Sequence, residues 1–113
     1  MWTIAHEPVA GAVLVYPYTL DVAAEASAMH FAAPPVTVDE LPRVPMLVVK
    51  AGGDVTPNLN AKLDAFVAAA RARELPVTVV EHTEGPHAFD IIDDTPRSRE
   101  VIDAILAFMQ AIR

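Results

Sequence analysis

The segment Glu84-Gly85-Pro86-His87-Ala88-Phe89-Asp90 follows Val77-Thr78-Val79-Val80-Glu81, a run that reads as a strand. A Gly-Pro turn past a buried strand presents the His87 imidazole at the open edge of an α/β sheet. An imidazole there can act as a general base near neutral pH. Earlier in the chain a second strand-like run, Met46-Leu47-Val48-Val49-Lys50, ends in Ala51-Gly52-Gly53-Asp54. Residues just past the C-terminal ends of parallel strands share one rim, where ligands bind. Neighbouring strands lie ~4.8 Å apart, so a carboxylate on one loop can reach an imidazole on the next. The carboxylate fixes the ring's tautomer and stabilises the imidazolium formed when the other nitrogen takes a proton. Asp54 and His87 are therefore the candidate catalytic pair, two thirds of a nucleophilic triad. Spacing alone leaves two other roles open. Asp54 could cap the turn before Thr56-Pro57, and His87 could be a loop histidine.

The remaining third is missing. The chain has no cysteine, and its serines are Ser27 and Ser98. Neither sits on a glycine-flanked turn between a strand and a helix. Both are expected to face solvent or to cap. His6, His30 and His82 show no metal-ligand spacing, so no metal is expected. Asp90, Asp93 and Asp94 lie near a helix start, where acids complement the helix dipole. Ala51-Gly52-Gly53 lacks the further glycines and lysine of a phosphate loop. Tyr16-Pro17-Tyr18 reads as core and turn. Asp21, past the first strand, falls on the same rim and is expected to line a pocket.

The elements that must hold these residues follow from periodicity. Val9 to Tyr16 is continuously apolar, the pattern of a strand buried on both faces. Asp21 to Phe31 is an alanine-rich candidate helix. Ala32 to Pro45 carries four prolines and is a connecting loop. Met46 to Lys50 and Val77 to Glu81 are the second and third strands. Between them, Thr56 reads as an N-cap with Pro57 at the first helical position. Leu59, Leu63, Phe66, Val67 and Ala70 form one apolar stripe, and Arg71 and Arg73 suit the helix C-terminus. Thr95-Pro96 repeats the cap signal before a C-terminal helix with Val101, Ile102, Ile105, Leu106, Phe108, Met109 and Ile112 on its apolar face. Strands alternating with helices predict an α/β fold, a three-layer arrangement around a parallel sheet of three strands with two clear helices.

At 113 residues the chain holds at most one domain, residues 1–113. It is 53% hydrophobic and 20% charged, which is apolar for its length and suggests a surface to be covered. Eight basic against fifteen acidic residues give a formal charge of −7. No basic patch exists, so neither nucleic acid nor an anionic membrane is an expected partner. No apolar run approaches the ~18 residues of a membrane span. With no targeting signal visible, the cytoplasm is the default expectation.

Four segments carry a resemblance to a known family: Leu47 to Asp54, Pro57-Asn58-Leu59-Asn60, Leu63 to Val67, and Gly85-Pro86-His87-Ala88-Phe89-Asp90. Together they resemble the C-terminal half of an α/β-hydrolase, most closely the dienelactone hydrolase-like esterases. The resemblance implies that Val9 to Tyr16, Met46 to Lys50 and Val77 to Glu81 correspond to the family's sixth, seventh and eighth strands. It implies Asp54 as triad acid and His87 as general base, in the family's order of nucleophile, acid, histidine. The substrate would be a carboxylic ester or lactone, cleaved through an acyl-enzyme without a cofactor. The family's Gly-x-Ser-x-Gly elbow precedes its sixth strand and has no counterpart here. The expectation is thus a single partial domain, from a truncated, split or incompletely recovered gene and inactive alone. The alternative is a noncatalytic α/β module that self-associates through the apolar edge of Val9 to Tyr16.

Overall fold

The computed structural model describes residues 2–17 and 37–112. The candidate helix from Asp21 to Phe31, with Asp21, Ser27 and His30, lies outside the described residues, as does Tyr18. The elements are α1 (Trp2–His6), β1 (Ala12–Val15), a 3-10 turn (Val38–Glu40), β2 (Met46–Ala51), α2 (Leu59–Ala72), β3 (Val77–His82), α3 (Phe89–Ile92) and α4 (Pro96–Ala111). The strands form one parallel sheet in the order β1-β2-β3. The α/β class read from the alternating pattern is the observed one.

β2 is the centre, and its pleat sorts the core into two layers. Met46 and Val48 face one side, packed with Leu63, Phe66, Val67 and Ala70 of α2 and with Ile4, Leu41 and Leu75. Leu47, Val49 and Ala51 face the other, against Phe89 and Val101. Helices thus cover both faces of the sheet. Full burial of a Val or Leu side chain stabilises by roughly 1.5–3 kcal/mol, which explains why the central strand carries almost no polar side chain.

The stripe expected on α2 is the buried one: Leu59, Leu63, Phe66, Val67 and Ala70. Its start differs from expectation. The N-cap is Asn58, not Thr56, and it takes a left-handed conformation (φ 62). Thr56 donates its N–H to Asp54 Oδ1 at 2.8 Å, and Leu59 N–H donates to Thr56 O at 3.2 Å. The Thr56-Pro57 pair is used by a turn that begins at Asp54, so the helix starts two residues later. At α4 the cap reading holds: Thr95 Oγ1 accepts from Ser98 N–H, with Pro96 in the first turn. Val101 is buried and Ile102, Ile105 and Phe108 pack on the sheet, while Leu106 and Met109 turn half outward. β1 is shorter than the apolar run that predicts it. Tyr16 leaves the extended region with φ 35 and ends the strand.

Pairing between β2 and β3 continues past their ends. Gly52 N–H donates to His82 O at 2.8 Å, and Gly53 N–H to Gly85 O at 2.9 Å. These bonds bring two loop backbones so close that a Cβ at Gly52 would collide with the Thr83 carbonyl. A rigid neighbour of that kind cannot give way. Gly52→Ala should cost about 1–3 kcal/mol of folding stability, the range for overpacking, read as a lower urea midpoint at unchanged slope. A midpoint equal to wild type would show that the two loops are free to separate.

Candidate active site

The stitched loops carry the two residues singled out by their chemistry. Asp54 Oδ2 lies 2.6 Å from His87 Nδ1, and its other oxygen accepts the Thr56 N–H. The two readings of Asp54 therefore hold together: it caps its own turn and bonds His87. Its side chain is 0% exposed, against 45% for His87. Burial pushes the Asp54 carboxyl up, but hydrogen bonds from Thr56 and His87 outweigh it and hold the group below the usual carboxylate range. An ionised carboxylate only accepts, so His87 Nδ1 carries the hydrogen. In the neutral ring Nε2 is then a lone pair, and no hydrogen bond to it is made among the described residues. This arrangement can take a proton at Nε2 while Asp54 stabilises the resulting cation.

Several elements hold the pair in place. Asn60, in the first turn of α2, donates Nδ2–H to Ala51 O at 2.9 Å and ties the helix to the end of β2. Phe89, fully buried, sits two residues past His87. Its ring meets His82 edge-on at 5.2 Å and Tyr16 edge-on at 6.3 Å. Tyr16 also lies 4.7 Å from the His87 ring, tilted by 49°, and donates its hydroxyl hydrogen to Asp90 Oδ1 at 2.8 Å. That bond, with partial burial, raises the Tyr16 pKa. Tyr16 and Ala88 both have positive φ, 35 and 59. Such conformations cost non-glycine residues on the order of 1–3 kcal/mol and gather at functional sites. The sequence reading placed Tyr16 in core and turn. The signal for more was its place at a strand end on the rim shared with Asp54 and His87.

Ser98 corrects an expectation. It faces neither solvent nor a cap site of its own but is fully buried. Its Oγ–H donates to Asp93 Oδ2 at 2.5 Å, and His82 Nε2 lies 2.7 Å from the same Oγ. Asp93 also accepts from Thr95 Oγ1 at 2.7 Å, and these hydroxyls hold its carboxyl below the usual range. With the serine proton committed to a carboxylate, His82 Nε2–H must be the donor to Oγ. A histidine that donates to a serine cannot deprotonate it. This Ser-His-Asp group is therefore a structural tie between the end of β3 and the start of α4. His82 Nδ1 is buried without a partner among the described residues, and the ring occupies the space a side chain at Gly85 would need.

The other candidates have local roles. Asp94 forms a two-point pair with Arg99 at 2.7 and 2.8 Å, and Asp90 receives Tyr16. Among the described residues no cluster of His, Cys, Asp or Glu could hold a metal ion, and no helix is long and apolar enough to cross a membrane. Comparison with protein-family models, with curated proteins and with solved structures finds no match.

The depressed Asp54 pKa has a consequence for stability. A carboxyl with a folded pKa below its unfolded value of ~3.9 contributes stability that is fully present above that value and lost as pH falls through the folded one. Asp93 shifts in the same direction. The contribution of these two carboxyls should therefore be fully present above about pH 4 and appear in urea denaturation as a decline in stability as the pH falls below it. Asp54→Asn should flatten part of that decline. An unchanged acid slope in Asp54→Asn would show that this carboxylate gains nothing from its donors.

Proposed function

We propose that the chain supplies the acid and the general base of a serine hydrolase that cleaves carboxylic esters or lactones. Its sheet then corresponds to the sixth, seventh and eighth strands of an α/β-hydrolase, of the dienelactone hydrolase-like branch. The observation that carries the reading is the 2.6 Å bond from His87 Nδ1 to Asp54 Oδ2 at the C-terminal rim of a parallel sheet. In this reading a serine or cysteine from a neighbouring segment is brought to His87 Nε2. The imidazole takes its proton as the nucleophile attacks the ester carbonyl. The imidazolium, stabilised by Asp54, then protonates the leaving alcohol, and a water repeats the cycle to release the acid. No cofactor takes part. Ser98 is excluded as nucleophile by its burial and bonding, and Ser27 lies outside the described residues.

The test uses the reading frame that precedes this segment in its genome. A polypeptide that adds an upstream Gly-x-Ser-x-Gly unit to these residues should react with a fluorophosphonate at one serine. His87→Ala should slow that labelling by at least ~10³-fold, the scale of losing a triad member. An upstream frame without such a unit, or labelling indifferent to His87, would overturn the reading. Residues 1–113 alone should turn over p-nitrophenyl acetate no faster than an equal concentration of imidazole. Turnover well above that which disappears in Ser27→Ala would place the nucleophile inside the chain.

A second reading, a noncatalytic interaction module, is favoured by one observation: β1 lies at the edge of the sheet. Val13 and Leu14 there are only partly buried. An apolar edge strand invites pairing with another strand, and each Å² of apolar surface removed from water stabilises by ~25 cal/mol. Sedimentation should show self-association of the isolated chain, with a larger monomer fraction in Val13→Lys. A compact monomer at high concentration would exclude this edge as an interface.

A further inference from the structure

The hydrogen bond from His87 to Asp54 fixes one direction of the imidazole but not its plane. A tilt of the ring about the Nδ1–Oδ2 line keeps that bond and changes where the Nε2 lone pair points. A general base has to be held within ~10–20° of its productive geometry. Something must therefore press on the ring face.

We propose that Tyr16 is a positioning residue that sets the plane of the His87 ring, an inference that rests on the hydrolase reading of the pair. Three features converge on it. Its ring lies 4.7 Å from the imidazole, so the two planes cannot turn independently. Its hydroxyl donates to Asp90, three residues beyond His87, and so pins the segment that follows the imidazole. Its backbone takes φ 35 although Pro17 comes next. A residue before proline is steered toward extended conformations, so this geometry is doubly disfavoured and has to be imposed by the surroundings. The departure from the strand brings the phenol from the edge strand to the His87 loop. The imidazole is then held on one side from β2 through Asp54 and on the other from β1 through Tyr16. Phe89 touches the Tyr16 ring and backs the same assembly.

The inference is tested by solution NMR on the chain with isotope-labelled histidine. The readouts are the His87 ring-proton shifts, displaced by the Tyr16 ring current, and the exchange rate of the Nδ1 proton held by Asp54. Tyr16→Leu should move the ring-proton shifts toward random-coil values and speed Nδ1 exchange at least tenfold. Tyr16→Phe should restore the shifts, because the ring is kept, and leave exchange a few-fold faster than wild type. Asp90→Asn should match Tyr16→Phe. Wild-type shifts and exchange in a folded Tyr16→Leu protein would overturn the proposal. Should Tyr16→Leu fail to fold, the conservative variants decide: exchange unchanged in both Tyr16→Phe and Asp90→Asn overturns it as well. These signals need no nucleophile. Fluorophosphonate labelling that ignores His87 therefore sinks the hydrolase reading alone, while an unmoved ring sinks only the role of Tyr16.

Discussion

A carboxylate with no solvent exposure must find its donors inside the protein, and Asp54 finds them in Thr56 N–H and His87 Nδ1–H. Each comes from a different part of the chain. The Thr56 bond shapes the turn that leads into α2, and the His87 bond draws in the loop after β3. The His87 bond crosses between the two loops and is supported by the backbone stitching beyond the strands, where Gly52 and Gly53 donate across to His82 and Gly85. That stitching requires two backbones to run closer than any side chain at Gly52 allows. The Gly-Gly-Asp sequence is thus one unit. The glycines permit the approach, and the aspartate receives the donors that the approach delivers.

Among the described residues two groups are built from a histidine and an aspartate, and they behave in opposite ways. In the first, Asp54 orders the ring of His87 directly and leaves Nε2 with a lone pair near solvent. In the second, a serine stands between His82 and Asp93. Because Asp93 claims the serine proton, His82 is forced to donate. Residue types alone make the second group look more complete, since it holds all three members of a triad. Proton bookkeeping and burial reverse that ranking. The second group still matters to the first, because the His82 ring fills the place of a side chain at Gly85 and supports the turn that carries His87.

Much of this was legible in the sequence, for reasons that differ by element. α2 is long enough for its stripe at Leu59, Leu63, Phe66, Val67 and Ala70 to rise above chance, β2 opens on the apolar run Met46 to Val49, and β3 on the β-branched run Val77 to Val80. The pairing of Asp54 with His87 follows from topology, since both residues come just past the ends of neighbouring parallel strands. α1 and α3, at five and four residues, are too short to show a period. The start of α2 was misplaced because Thr56-Pro57 is chemically a good cap, and only the Asp54 bond to Thr56 assigns it to a turn. Burial of Ser98 was hidden because a serine reads as surface unless its partners are known. Asp93 is local, five residues before Ser98, but His82 reaches it only through the packing of α4 on the end of β3.

Tyr16 shows why strand ends are hard to read. In sequence it closes an apolar run before a proline, where an aromatic residue is ordinary core. In the fold its backbone adopts a conformation that local preference opposes. The compensating contacts come from residues far along the chain, His87, Phe89 and Asp90. The strain at Tyr16 and the strain at Ala88 lie on either side of the same imidazole, one across space and one along the chain. Tyr16 also packs on the core layer under α4, so its ring serves the core and the imidazole together. Of the four non-glycine residues with positive φ among the described ones, Asn58 and Glu74 sit at the two ends of α2, where chain reversal explains them, and Tyr16 and Ala88 flank the His87 ring.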